Sequence, residues 1–126
     1  MDFPNELFYS NDHEWVKVDG KNAYIGISAH AASELGDVVY IDIESDLDKI
    51  TKGEVFGTIE AVKTVADLVA PISGKVLEVN APLNDAPDTV NNDPYGNGWM
   101  VKVEIADEAE LNDLMKVDAY KAFIGE

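Results

Sequence analysis

The sequence predicts a mainly β protein in which two antiparallel sheets form a sandwich or flattened barrel, with short helices after the second strand pair and at the C-terminus. Three observations lead to this fold class. Short runs rich in valine, isoleucine and aromatic residues recur along the 126 residues and alternate with polar positions. Clusters of glycine, proline, asparagine and aspartate separate these runs at short intervals. Helix-capping residues follow the second strand pair, and apolar residues with helical spacing occur near the end of the chain.

The first half of the sequence predicts strands, one short helix and a charged turn. Apolar residues alternate with polar ones at 7–9, 15–18 and 24–27, and the turn Asp-Gly-Lys-Asn at 19–22 predicts a hairpin. Ser28 is suited to cap a helix that runs through Leu35, and Gly36 is suited to end it. Residues 38–43 are dense in valine, isoleucine and tyrosine and predict a strand.

Residues 54–69 predict a hairpin with Lys63 at its tip. Residues 54–62 and 65–69 have the composition of strands, and glycine, proline and serine bound the pair on both sides. A lysine at a strand edge has an ordinary structural explanation, because a charge there discourages edge-to-edge pairing. A catalytic lysine needs burial or a cationic neighbour, whereas Lys63 has acidic Glu60 and Asp67 nearby. Lys63 is therefore predicted to be an attachment point rather than a catalyst.

The chain after this hairpin predicts a strand, a long loop, a last strand and two short helices. The strands are expected at Gly74–Val79 and 99–105, and the loop at 81–98 has at most one helical turn, beginning at Pro87. Asp107 and Glu110 have the spacing of a capping box, and three apolar residues form one face of the helix that follows, Leu111, Leu114 and Met115. Asp118 is expected to cap the final helix, with three residues packing inward, Tyr120, Phe123 and Ile124.

The net charge of the sequence restricts the kinds of molecule that the protein is expected to bind. Acidic residues outnumber basic ones by 25 to 9, which gives a formal net charge of −16. Such a charge repels nucleic acid and anionic membranes and suits docking to basic patches on proteins. No apolar run approaches the roughly 20 residues that a membrane span requires, and the first residues lack the pattern of a targeting segment. We expect a cytoplasmic monomer with no nucleic-acid or membrane partner.

Two histidines and two tryptophans are the remaining candidates for a site. His13 beside Glu14, together with His30, could suggest a metal or acid-base site, but the i, i+4 pairing and the cysteines typical of metal sites are absent from the sequence. No metal is predicted. Trp15 and Trp99 are expected to lie in the core. No nucleophile elbow or glycine-rich phosphate loop is recognisable, so no catalytic residue is predicted.

The residues around Lys63 resemble the lipoylation hairpin of the glycine cleavage system H-protein family. The resemblance is carried by Glu-Ala-Val-Lys-Thr at 60–64, by Asp67 and by Ala-Pro-Ile-Ser-Gly at 70–74. Three further blocks match in the same order, at 9–16, 26–39 and 90–100. The sequence departs from the commoner H-protein pattern at Ala61 and Ala66, where serine is usual. Both changes exchange one small residue for another and should leave the hairpin intact.

This resemblance implies a fold and a set of site residues. The fold would be a barrel-sandwich hybrid, with 1–126 as a single lipoyl-carrier domain. Lys63 would carry lipoic acid in amide linkage. Glu60, Val62 and Gly74 would shape the hairpin and take part in its recognition by the attaching enzyme. Glu14, His30 and Asp67 would line the cleft that receives the loaded arm.

The resemblance also implies a function without catalysis by the chain itself. Lipoyl-Lys63 would take an aminomethyl group from the pyridoxal-phosphate-dependent P protein, which decarboxylates glycine, and would pass it to the T protein, an aminomethyltransferase. The L protein, a dihydrolipoamide dehydrogenase, would reoxidise the arm. A lipoate ligase or octanoyltransferase would attach the cofactor. The chemistry would lie in the cofactor and the partners, and the domain would supply position.

Two alternatives use the same residues differently. A lipoyl-relay protein would have the same Lys63 but would hand lipoate on to oxoacid dehydrogenase subunits, and a transferase assay with purified partners would identify it. In a non-lipoylated interaction domain, Lys63 would only guard the edge of a sheet, and Lys63→Arg would be silent in every assay.

Overall fold

The computed structural model describes residues 3–125 as nine strands, with short helices between and after them. In chain order the strands are β1 (Phe8–Tyr9), β2 (Glu14–Asp19), β3 (Asn22–Ile27), β4 (Val38–Asp42), β5 (Lys49–Ile50), β6 (Val55–Ala61), β7 (Val65–Val69), β8 (Gly74–Val79) and β9 (Val101–Ile105). One sheet has the order β1-β2-β3-β9-β8-β5 and the other has β4-β6-β7. Every pairing is antiparallel. The predicted fold class is confirmed.

Three α-helices and two 3-10 helices complete the described chain. The α-helices are α1 (Ala29–Leu35), α2 (Thr89–Asn92) and α3 (Val117–Ile124), and the 3-10 helices are Ala81–Asn84 and Glu108–Asp113. The predicted cap of α1 is confirmed, because the Ser28 hydroxyl accepts a hydrogen bond from the amide of Ala31. Gly36 ends the helix at φ 80°. None of the helices between residues 3 and 125 is long and apolar enough to cross a membrane.

The core lies between the two sheets, and an aromatic cluster extends it under α3. Alternate residues of β6 and β7 turn inward, so that Ile59 and Leu68 are almost fully buried. Side chains from both sheets and α1 complete this core: Val16, Ile25, Leu35, Ile41, Ile72, Val101 and Val103. The aromatic cluster contains Phe3, Leu7, Tyr9, Trp15, Val117 and Tyr120. Trp15 is a core residue as predicted, whereas Trp99 is only half-buried.

The structure adds two elements that the sequence pattern did not predict. The charged turn at 45–52 contains β5, which pairs with the start of β8. Its two residues are too few to produce a recognisable alternation. The loop at 81–98 contains a 3-10 turn at Ala81–Asn84 in addition to the helical turn α2. Pro82 sits in the first turn of this element, where a missing amide hydrogen costs nothing.

Three expectations near the C-terminus are wrong in detail. Asp107 does cap the helix at Glu108–Asp113, but Glu110 does not complete a capping box. Its carboxylate instead accepts hydrogen bonds from the amide and hydroxyl of Ser73. The final helix begins at Val117, so that Asp118 lies inside its first turn. Phe123 is 53% exposed, because Tyr120 occupies the inward face of this short helix.

Candidate functional site

Lys63 lies at the tip of the β6–β7 hairpin, as predicted. The last paired residues are Glu60 and Val65, and the amide of Ala61 donates to the carbonyl of Thr64 across the turn at 2.8 Å. The amide of Val62 donates to the carbonyl of Asp37 at 3.0 Å. This bond joins the tip to the segment between α1 and β4. The backbone of the tip is therefore held in place while the Lys63 side chain is exposed.

The stem of Lys63 crosses the C-terminal end of α1 at Gly36. A Cβ atom added to Gly36 would lie 3.7 Å from Cε and 3.8 Å from Cδ of Lys63. Gly36 has φ 80° and ψ −156°, a conformation that is essentially restricted to glycine. The backbone conformation of Gly36 therefore ends α1, and the missing Cβ of Gly36 makes room for the Lys63 stem.

A cavity of about 160 Å³ lies between α1, the β2–β3 pair and the β6–β7 hairpin, and we call it the cleft. Its apolar lining residues are Ile27, Ala31, Leu35, Ile59, Ala66 and Leu68. Its polar lining residues are Asp12, His13, Glu14, Glu34 and Asp67. The tertiary structure thus brings together two of the three residues predicted for a cleft, Glu14 and Asp67.

Glu14 is the buried acid of the cleft. It is 2% exposed, and its Oε2 atom accepts a hydrogen bond from the amide of Val69 at 2.9 Å. The Ser10 hydroxyl lies 3.5 Å from Oε1. Burial raises the pKa of Glu14 to about 9, although the Val69 bond opposes the increase. At neutral pH, Glu14 is therefore a neutral carboxylic acid. Asp67, by contrast, is exposed.

The third predicted cleft residue, His30, lies behind the lining rather than in it. Its ring is centred 5.0 Å from the ring of His13, and Nε2 lies 3.6 Å from a carboxylate oxygen of Glu34. His13 and Glu34 both line the cleft, so that His30 can act on the cleft through them.

His13 is one of the polar lining residues that were not predicted for the cleft, together with Asp12 and Glu34. Its backbone has φ 67°, an uncommon value for a residue other than glycine. Its Nδ1 atom lies 3.0 Å from the hydroxyl oxygen of Tyr120, which is 107 positions away in the sequence. Burial and the neighbouring His30 lower the pKa of His13. In the sequence, His13 beside Glu14 indicated a candidate metal or acid-base site but no place in the cleft.

The remaining predicted residues occupy two different places. Glu60 and Val62 lie at the hairpin tip, where Val62 is 72% exposed. Gly74 lies at the start of β8 and faces Ile105 of β9. A Cβ atom on Gly74 would lie 2.5 Å from the carbonyl oxygen of Glu104, so glycine is required there by close packing of the two strands. Within residues 3–125, no group of three or more His, Cys, Asp or Glu side chains is arranged to hold a metal ion.

Comparisons with known proteins agree on one family. The family model described as "Glycine cleavage H-protein" matches residues 7–126. The glycine cleavage system H protein of Staphylococcus haemolyticus (strain JCSC1435) is 52% identical over 126 residues, which is the full length of both chains. The crystal structure of a glycine cleavage system H protein from Mycobacterium marinum superposes with a TM-score of 0.88 at 33% identity. That match covers 98% of this chain and 100% of the crystallised one.

Proposed function

The chain belongs to the glycine cleavage H-protein family, and we propose that it carries a lipoyl group in amide linkage on Lys63. Members of this family are lipoyl carriers of the glycine cleavage system and are not themselves catalysts. One observation supports Lys63 most directly. Its stem lies against the end of α1, and the neighbouring residues Glu34 and Leu35 of that helix line the cleft.

The cleft is compatible with a lipoyl arm. The arm is a flexible hydrocarbon chain, and apolar side chains from α1, β3, β6 and β7 line the cavity. Four of its five polar lining residues are acidic: Asp12, Glu14, Glu34 and Asp67. A cavity that combines apolar walls with acidic side chains suits a hydrocarbon arm that ends in an amine. The exposed Lys63 at the hairpin tip would let the same arm leave the cleft to visit a partner.

The residues of the cleft would protect the cargo rather than transform it. When attached, the lipoyl group supplies a disulfide that opens to accept an aminomethyl group. Glu14 and Asp67 would each accept a hydrogen bond from the amine of that group, and exclusion of water would strengthen both contacts. Burial favours the neutral form of Glu14, and an entering ammonium would favour its ionised form. The amine would then stay protonated beside a carboxylate.

Partnership with the other components of the glycine cleavage system follows from the family. We infer that the P protein loads the arm on Lys63, the T protein unloads it and the L protein reoxidises it, after a lipoate ligase or octanoyltransferase has attached the cofactor. Exposed apolar residues near the tip support protein docking there: Val39, Tyr40, Val62 and Val65. The net charge of −16 suits partners with basic surfaces. A cytoplasmic location and a monomeric state stay predictions.

Mass spectrometry after incubation with a lipoate ligase, lipoate and ATP tests the attachment site. We expect one lipoyl group on the wild-type chain, mapped to Lys63 by peptide analysis. Lys63→Arg should receive none, whereas the matched variant Lys75→Arg should be modified like the wild type, because Lys75 is exposed on β8. An unmodified wild-type chain, with a ligase proven active on another lipoyl domain, would refute the carrier role of Lys63.

A further inference from the structure

One hydroxyl group, that of Tyr120, joins two walls of the cleft. Tyr120 lies on α3, and its side chain is fully buried. Its oxygen lies 2.7 Å from the Ser28 hydroxyl and 3.0 Å from Nδ1 of His13. Ser28 caps α1, which forms one wall, and His13 lines the wall that precedes β2. The C-terminal helix therefore contacts both sides of the cleft through a single atom.

The donors and acceptors around Ser28 indicate the direction of the Ser28–Tyr120–His13 hydrogen bonds. The Ser28 oxygen already accepts a bond from the amide of Ala31 at 3.2 Å. Ser28 is fully buried, and among the described residues the Tyr120 oxygen is the acceptor within reach of its hydroxyl hydrogen. Ser28 therefore donates to Tyr120, and Tyr120 donates to Nδ1 of His13. An imidazole that accepts at Nδ1 is the neutral tautomer with its hydrogen on Nε2.

The position of the Tyr120 hydroxyl is set outside the cleft. The Tyr120 ring stacks on Tyr9 with centroids 4.6 Å apart and planes 7° from parallel, and Phe3 meets it edge-on at 5.7 Å. The loop that carries His13 is tied to the start of α1, because the Ser28 amide donates to the carbonyl of His13 at 2.9 Å. The aromatic packing of Tyr120 thus determines the position of the hydroxyl that contacts Nδ1 of His13.

Several charged groups act on His13. His30 and Glu34 reach it from α1, Asp12 from its own loop and Tyr120 from α3, while Glu14 and Asp67 face the same cavity. Burial and His30 favour the neutral imidazole, and Asp12 and Glu34 oppose this. A protonated His13 would place a positive charge in the wall of a cleft that has to accept an ammonium.

We propose that Tyr120 is a positioning residue for the loaded arm: its hydroxyl holds His13 as a neutral imidazole, so that an ammonium entering the cleft meets Glu14 and Asp67 without a positive charge beside them. This inference rests on the proposed function, because it assumes that the aminomethyl group occupies the cleft. It assigns the C-terminal helix a part in keeping the cargo, although α3 supplies no lining residue of the cleft among those described.

Nitrogen-15 NMR of the histidine rings in the unloaded chain tests the hydrogen-bond chain directly. We expect His13 to carry its hydrogen on Nε2. In Tyr120→Phe, which keeps the aromatic stack, the midpoint of His13 titration should move to higher pH, because the donor to Nδ1 is gone. Tyr24→Phe is the matched control, since Tyr24 lies on the far side of β3 against Trp99. A wild-type His13 protonated at Nδ1, or an unchanged titration in Tyr120→Phe, would overturn the proposal.

The loaded protein provides the second readout. We expect Tyr120→Phe to be lipoylated normally and to lose the aminomethyl group about fivefold faster than the wild type, as for the loss of one hydrogen bond. The excess loss should be greatest between the two midpoints of His13 titration, where His13 is protonated in the variant and still neutral in the wild type. If Glu14→Gln speeds the loss and Tyr120→Phe does not, the role of Tyr120 is refuted and the cleft remains. If neither variant changes the loss, the proposed function of the cleft fails and this inference fails with it.

Discussion

Glu14 and Val69 join the two sheets at the base of the cleft: the amide of Val69, at the end of β7, donates to Oε2 of Glu14, at the start of β2, over 2.9 Å. The acid that faces the cleft is therefore held by the strand that follows Lys63. Glu14 is also 2% exposed, and within residues 3–125 no cationic side chain forms an ion pair with it. A buried acid in this setting stays neutral and is sensitive to any cation that enters.

The contribution of Glu14 to the stability of the unloaded protein should fall as the pH rises above 4.5. The folded state keeps Glu14 protonated up to a pKa of about 9, whereas the unfolded chain ionises near the ordinary value of 4.5. The stabilising effect of the protonated form is complete below pH 4.5 and is lost progressively toward pH 9, at about 1.4 kcal/mol per pH unit. Urea unfolding measures this effect. The unfolding free energy of Glu14→Gln relative to the wild type should be about 3 kcal/mol higher at pH 7 than at pH 4.5. A difference independent of pH would contradict the burial argument.

Removing Glu14 and Asp67 together should shorten the lifetime of the loaded protein. Glu14→Ala combined with Asp67→Ala removes two charge-assisted hydrogen bonds to the amine, so that loss of the aminomethyl group should accelerate by about tenfold or more. Release of ammonia from the isolated, loaded protein measures this loss. Asp46→Ala is a suitable control, because Asp46 is an exposed acid in the turn between β4 and β5. Equal rates in the double variant and this control would refute the protective role.

Gly74→Ala should separate packing from recognition by the attaching enzyme. The added methyl group would lie 2.5 Å from the backbone oxygen of Glu104, which cannot move without disturbing β9. We expect a loss of about 1–3 kcal/mol in unfolding free energy, with normal lipoylation of the folded fraction. Gly53→Ala provides a comparison without a clash, because nothing lies within 4 Å of its added Cβ and only its φ of 86° opposes alanine. Severely slowed lipoylation of folded Gly74→Ala would instead indicate a direct role in recognition.

Val62 should contribute to recognition without contributing to stability. Its side chain is 72% exposed beside Lys63, so that Val62→Ser should leave the unfolding free energy within about 0.5 kcal/mol of the wild type. The same change should slow lipoylation severalfold, because an apolar contact next to the acceptor lysine is lost. Val55→Ser provides a matched control at the other end of β6, where the side chain is 55% exposed. Identical lipoylation rates for the two variants would remove Val62 from the recognition surface.

Much of the fold could be predicted from local patterns. The hairpins at 14–27 and 55–69 follow from alternation and turn residues, which act between neighbours in the chain. The cap at Ser28 and the stop at Gly36 are likewise local effects, and both are present. The two-residue strand β5 escaped prediction because its pairing with β8 depends on contacts distant in sequence.

The sequence by itself determined the position of Lys63, since a hairpin tip is defined by the residues that flank it. It also determined which acids were available, but not their charge. Only the tertiary structure placed Glu14 against Val69 and withdrew it from water, and this burial raises its pKa to about 9. The same packing brought Tyr120 to His13 across 107 positions. Desolvation and hydrogen bonding depend on atoms that meet only when the two sheets and the C-terminal helix have packed together.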